Sequence, residues 1–138
     1  MSRAGGTDVA VREATDEDRL GVRRVLDAAM LDVREDLPAR IAAGDVLVAT
    51  DGSTPILGAL VLVARESGAH VDAVAVRRAR RGRGVGSALV RAAAERRDRL
   101  TAAFDPDVRP FYESLGFDVE PVTSEENRFR GTYESGSL

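Results

Sequence analysis

The sequence predicts an α+β protein: a mixed, mostly antiparallel sheet of about six or seven strands flanked by about four helices. Three observations carry this expectation. Alternating or apolar runs at 8–13, 45–50 and 55–65 are punctuated by turn residues, as in antiparallel strands. Apolar residues at helical spacing fill 22–33 and 85–93. One strand–loop–helix–strand unit spans 70–104, the arrangement needed to lay two strands parallel.

The elements follow in order. Residues 8–13 (DVAVRE) alternate and read as the first strand. Thr15 offers a capping hydroxyl, and Asp16, Glu17 and Asp18 put acids in a first helical turn. Asp18 stands where a capping box has Glu or Gln, so the box is expected to be imperfect. Val22, Val25, Leu26, Ala29, Met30 and Val33 predict one helix, and Leu37 and Ile41 a second that ends near Gly44. Residues 45–50 (DVLVAT) and 55–65 form a strand pair around the Asp51-Gly52-Ser53 turn. Ser67-Gly68 turns the chain into a strand at 70–76 (HVDAVAV). An arginine- and glycine-rich run, 77–86, leads into a helix with Val85, Ala88, Leu89, Ala92 and Ala93 on one face. A short strand at 100–104, a short helix at 107–115 and closing strands at 117–119 and 129–133 complete the order, and 134–138 reads as a loose tail.

Composition bounds the chemistry. The 138 residues suit one domain with one core, with Val, Leu and Ala as its main residues because aromatics are scarce. Without cysteine there is no disulfide, thiolate metal site or cysteine nucleophile. His70 is the only histidine, so no zinc site is expected. No segment reaches the length of a membrane span and 1–7 lacks a signal-peptide core, which gives the expectation of a soluble cytoplasmic protein. Net charge is −3, and every basic residue is arginine. That acidic balance argues against general nucleic-acid binding.

The strongest local signal is Arg81-Gly82-Arg83-Gly84-Val85-Gly86, between a strand and a helix. Glycines let backbone approach a ligand, and the helix start offers free N–H groups and a positive dipole end to a diphosphate. Arg77, Arg78, Arg80, Arg81 and Arg83 add guanidinium forks that match phosphate oxygens. A Walker A loop requires lysine, which the chain lacks. A dinucleotide fingerprint fits Gly82 and Gly84, with Asp105 as its ribose acid. However, Ser87 replaces its third glycine, and about five residues separate strand from loop where that fold has none.

The loop also fits Gln/Arg-x-x-Gly-x-Gly/Ala, through Arg81, Gly84 and Gly86. Farther on, residues 111–117 (FYESLGF) fit Phe-Tyr-Glu-x-x-Gly-Phe. On these two motifs, in this order and on these elements, the chain resembles the GNAT superfamily of N-acetyltransferases. The resemblance is strong over about residues 70–120 and rests elsewhere on element order. It implies the acyl-CoA N-acyltransferase fold and acetyl-CoA as co-substrate, bound in a V-shaped opening between strands 70–76 and 100–104. Backbone groups at Val74, Ala75 and Val76 would hold pantetheine and supply an oxyanion donor. Amides from Arg81, Gly82, Arg83, Gly84, Val85, Gly86 and Ser87 would hold pyrophosphate, with Asp105 and Phe111 beside the cofactor. Tyr112 matches the tyrosine that acts as general acid in many members. Two positions depart from the pattern: Asp105 stands where many members have Asn, and Val108 where many have Ala.

The resemblance implies direct attack of a primary amine on the thioester in a ternary complex. Asp72 and His70 are the candidate bases, two residues apart on one face of their strand. The acceptor, a small-molecule or a protein amine, would meet Asp32, Glu35, Asp36, Glu125, Glu126 and Arg128. Two rivals remain from other classes: a non-catalytic acyl-CoA-binding module and a nucleic-acid binder using the arginine loop. The last hairpin is an expected homodimer contact.

Overall fold

The computed structural model describes residues 9–52, 55–124 and 126–134. Strand β1 (Ala10–Glu13) leads into a single 3-10 turn at Asp16–Asp18. The capping box predicted to be imperfect does close: the Thr15 N–H donates to Asp18 Oδ2 at 2.8 Å. Asp18 also accepts two bonds from Arg12, at 2.7 and 3.1 Å, which tie the turn to β1. Those bonds, Arg12's first among them, hold the Asp18 carboxyl below its usual value against the opposing effect of burial.

Helix α1 (Arg19–Ala28) buries Val22, Val25 and Leu26. The predicted continuation to Val33 does not occur. The Leu31 N–H reaches back to the Leu26 carbonyl at 3.0 Å, and the Met30 N–H to Asp27 at 2.9 Å. This is a Schellman ending, with Met30 in the left-handed position at φ 62. Apolar periodicity hides it because Leu31 and Val33 still pack on the core from beyond the helix, while Met30 is 91% exposed. Helix α2 (Leu37–Ala42) turns Leu37 and Ile41 inward.

Strands β2 (Val46–Thr50), β3 (Gly58–Arg65) and β4 (Gly68–Val76) continue the antiparallel meander from β1. Helix α3 (Val85–Arg96) then crosses to β5 (Arg99–Phe104), which lies parallel to β4. Helix α4 (Arg109–Ser114) and the hairpin β6 (Asp118–Pro121) and β7 (Phe129–Glu134) finish the chain. The sheet order is β1-β2-β3-β4-β5-β7-β6. The predicted tail residues beyond Glu134, the turn residue Ser53 and the strand residue Asp8 lie outside the described residues.

Alternation along the strands sorts side chains into two cores. Leu47, Ala49, Leu60 and Leu62 meet α3, together with Phe104, Tyr112 and Phe117. Val46, Val48, Ala59 and Val61 meet α1 and α2. A bulge opposite Val61/Leu62 puts one extra residue, Asp72, into β4. Consequently Ala69 and Val71 belong to the α3 core, whereas Ala73 and Ala75 belong to the α1/α2 core.

Asp45, the only buried charged residue among those described, joins three elements. It accepts from Arg40 of α2 at 3.0 Å and from Arg97, just after α3, at 2.6 Å. Neither arginine was singled out by periodicity, since charge on helix ends ordinarily reads as solvated surface.

Candidate active site

The sheet opens where its two parallel strands part. Strands β4 and β5 pair only at Ala69–Leu100 and His70–Thr101. Beyond those pairs they leave a cleft of about 480 Å³. It is lined along β4 by Val71 to Val76, along β5 by Ala103 and Phe104, just beyond β5 by Asp105, and by Arg81, Gly86, Phe111 and Tyr112. Ala29 and Leu31 close it from the end of α1. They were not foreseen, because the predicted helix ran through them.

Hydrogen-bond phase decides which β4 backbone groups the cleft receives. The Arg77 N–H bonds to the Leu57 carbonyl at 2.8 Å. Antiparallel pairs alternate between bonded and unbonded. With Ala59 opposite Ala75 and Leu60 opposite Val74, the groups of Ala73 and Ala75 turn to β3, and those of Val74 and Val76 turn to the cleft. Arg81 Nε donating to the Val76 carbonyl at 3.0 Å lies on that side. Ala75, expected to lend backbone, therefore offers the cleft only its methyl, and Val74 carries the free N–H.

The glycine loop follows at the end of β4. Gly82 and Gly84 both hold left-handed backbone, at φ 77 and 85, with open space where a Cβ would stand. Only glycine takes that conformation without strain. The first intrahelical bond of α3 runs from the Ala88 N–H to the Gly84 carbonyl. The N–H groups of Val85, Gly86 and Ser87 are left without helical acceptors, a cradle suited to an anion. The Val85 side chain itself is core. The Phe111 ring lies against Gly86, so the aromatic motif and the loop meet.

The arginines of the run divide. Arg80 is committed to Asp51 at 3.0 Å, and Arg81 to the Val76 carbonyl. Arg77, Arg78 and Arg83 make no ion pair among the described residues.

Tyr112 is 6% exposed, stacked on Phe104 at 4.5 Å and edge-on to Phe111 and Phe117 at 5.0 Å. Its hydroxyl makes no hydrogen bond among the described residues, and the residue lines the cleft. Burial pushes its pKa up to about 12, so the phenol is protonated at neutral pH.

Asp72 and His70 separate. Asp72 lines the cleft and faces Arg34 at 3.6 Å. Arg34, which sequence reading passed over, also binds Asp36 at 2.7 Å. His70 does not line the cleft. Its Nδ1 shares a 2.8 Å hydrogen bond with Thr101 Oγ1 in an adjoining recess. Asp105 is paired with Arg128 at 2.8 Å at the cleft rim. Of the other residues expected on the acceptor side, Asp32, Glu35 and Glu126 do not line the cleft, and Glu125 lies outside the described residues. No three His, Asp or Glu side chains among the described residues converge to hold a metal, and no described helix is long and apolar enough to cross a membrane.

Comparison with known proteins places this geometry. Residues 42–119 match the acetyltransferase (GNAT) domain. No curated protein matches the sequence. Among solved structures, a GNAT-family acetyltransferase from Bacillus cereus ATCC 10987 superposes with a TM-score of 0.77 at 14% identity, over 91% of this chain and 96% of that one. Arabidopsis thaliana Naa50, in complex with the bisubstrate analogue CoA-Ac-MVNAL, gives 0.70 at 19% identity over 92% and 99%. N-acetylglutamate synthase from Neisseria gonorrhoeae, complexed with coenzyme A and L-arginine, gives 0.74 at 17% identity over 95% of this chain but 34% of its own length. The fold is that of these neighbours, and with more than half of its length matched to the domain, the chain belongs to the GNAT acetyltransferase family.

Proposed function

We propose that this chain transfers the acetyl group of acetyl-CoA directly to a primary amine in a ternary complex. One observation carries the reading: a single cleft joins the unpaired Val74–Val76 edge, the left-handed glycine loop and the unbonded phenol of Tyr112. The pantetheine arm is an amide chain, and the Val74 backbone groups and the Val76 N–H, all turned to the cleft, suit it as a strand edge suits a strand, while Arg81 already occupies the Val76 carbonyl. The loop amides and the dipole of α3 suit the pyrophosphate. Two structural neighbours were crystallised with CoA-containing ligands, which supports the same occupant here.

The amine nitrogen attacks the thioester carbonyl while the Val74 N–H faces the developing oxyanion. The carbon–sulfur bond breaks, and Tyr112 gives its proton to the leaving thiolate. Asp72, which lines the cleft on β4 while Asp105 is held at the rim by Arg128, takes the proton the amine must lose, directly or through water. No covalent enzyme intermediate is required. Asp105 meets the rim through its pair with Arg128 and does not reproduce the donor of an asparagine amide. We place the enzyme in the cytoplasm, where acetyl-CoA is available.

A thermal melt with acetyl-CoA, NADH and ATP tests the occupant. Acetyl-CoA at a hundredfold over its dissociation constant adds about 2.7 kcal/mol and NADH and ATP add nothing. A shift with NADH alone would establish the dinucleotide reading instead. Turnover of none of a broad set of amines, despite a shift with acetyl-CoA, would make the chain a binding module. Salt-sensitive RNA affinity indifferent to CoA would return the arginine loop to nucleic acid.

A further inference from the structure

A second recess of about 460 Å³ adjoins the cleft on the same face of the sheet, lined by Arg65, Glu66, His70, Arg99, Thr101 and Arg130 among others. It continues the cleft by one pleat on each strand. His70 precedes Asp72 by two residues on β4, Thr101 precedes Ala103 by two on β5, and Arg130 follows Arg128 by two along β7. Two residues along a strand are roughly 7 Å. No described helix lies over the outer half of this face: Arg65 and Arg130 are exposed, and Arg99 and Thr101 half-buried.

Three guanidiniums enter the recess from three strands. Arg65 and Arg130 make no ion pair among the described residues, yet both act on His70 strongly enough to disfavour its imidazolium, after burial itself. Arg99 Nε is shielded from solvent and makes no hydrogen bond, although Glu134 stands 3.4 Å away. Its Nη1 touches Ser67 Oγ at 3.3 Å. Against these cations stand Glu66 in the lining and Glu134 on Arg99. Three guanidiniums against two carboxylates leave one positive charge, the complement of a carboxylate monoanion rather than a phosphate dianion.

We infer that this recess binds a carboxylate carried by the acceptor, with the acceptor's amine beside Asp72 in the cleft. The inference rests on the amine-acetyltransferase reading and narrows it to amines whose carboxylate lies several ångströms from the nitrogen: ω-amino acids, or an amino acid acetylated on its side chain. Arg65, Arg99 and Arg130 are the specificity-determining residues, and Thr101 holds the His70 ring between them.

Two measurements test it, and the first needs no turnover. His70 is the only histidine of the chain, so its imidazole resonances report the recess without assignment. Millimolar δ-aminovalerate is expected to move them saturably and to raise the pH at which they titrate, because a bound carboxylate offsets Arg65 and Arg130. Arg65→Gln with Arg130→Gln abolishes both effects. Movement no larger than that given by sodium chloride at equal ionic strength, or movement that survives the double substitution, overturns the inference. The second compares γ-aminobutyrate, δ-aminovalerate and ε-aminocaproate with alkylamines of matching length. The carboxylated amine is preferred by about tenfold or more in kcat/KM, and the ratio collapses toward unity in the double variant. Equal or better turnover of the alkylamines overturns the acceptor class. Loss of acetyl transfer to every amine would instead sink the catalytic reading, while the imidazole titration still decides the recess.

Discussion

Tyr112 shows how much one hydroxyl can be asked to do. Its ring is core, held by Phe104, Phe111 and Phe117, while its oxygen bonds to no described protein group. Removing that oxygen therefore leaves no partner unsatisfied and relieves a desolvated polar atom. Tyr112→Phe is expected to melt within about a degree of the parent, since it opens no cavity. If the phenol protonates the leaving thiolate, kcat falls by about a hundredfold or more with acetyl-CoA binding retained. Steady-state kinetics beside a melt checks both, and an unchanged kcat would reduce Tyr112 to a packing residue. This residue was legible in the sequence because the FYESLGF run fixes it on a short helix. Arg34 was not, because it lies in an irregular segment after α1, and nothing in residue spacing tells that such a segment folds back onto β4. His70 and Asp72 look equivalent in sequence, yet one pleat along β4 puts Asp72 in the cleft and His70 in the adjoining recess.

Elements are where periodicity succeeded and where it stopped. Strands β2 and β3 were readable because apolar runs bounded by turn residues report a sheet packed on both faces, and α3 because its apolar stripe meets that sheet. The end of α1 was not, because a Schellman turn closed by Met30 lacks the usual glycine signal. The bulge at Asp72 was equally hidden, since adding one residue to an apolar strand leaves its composition unchanged. At the start of α3 the signal was present: Gly84 holds φ 85 and caps the helix. Gly84→Ala meets no atom but must adopt the left-handed region, which costs about 1–2 kcal/mol. A melt is expected to fall by several degrees, and the acetyl-CoA-induced shift to shrink with it; an unchanged melt would show that the loop relaxes freely. Asp45 tests the other side of α3. Asp45→Asn leaves Arg40 and Arg97 facing a neutral amide across α2, β2 and the end of α3. Denaturant unfolding is expected to lose about 2–3 kcal/mol, short of a fully buried pair because the guanidiniums stay partly hydrated.

At the scale of the molecule, the titrating groups with resolved acid sensitivity act in one direction but in separate windows. His70 has its pKa lowered from 6.5 by burial first, then by Arg65 and Arg130, with Asp72 opposing. The unfolded chain therefore binds that proton more readily than the folded one. Its contribution is complete above pH 6.5 and is lost as pH falls through the lower folded value. Asp18, lowered from 3.8 chiefly by its bond from Arg12, and Asp36, lowered chiefly by Arg34, contribute above 3.8 and are lost below it. Stability measured by denaturant across acidic pH should thus descend in two stages. The first belongs to one imidazole, so His70→Gln is expected to remove it and leave the second intact; a first stage that persists would assign it to another group. The same imidazole links stability to acceptor chemistry. A carboxylate held by Arg65 and Arg130 would raise the folded pKa of His70 toward 6.5 and flatten the first stage, whereas acetyl-CoA, bound on the far side of Asp72, would raise the whole curve without changing its slope there. Stability curves with each ligand separate the two ends of the cleft in a single protein without a turnover assay, and a first stage that stays equally steep under saturating δ-aminovalerate would leave the three arginines without the role assigned to them.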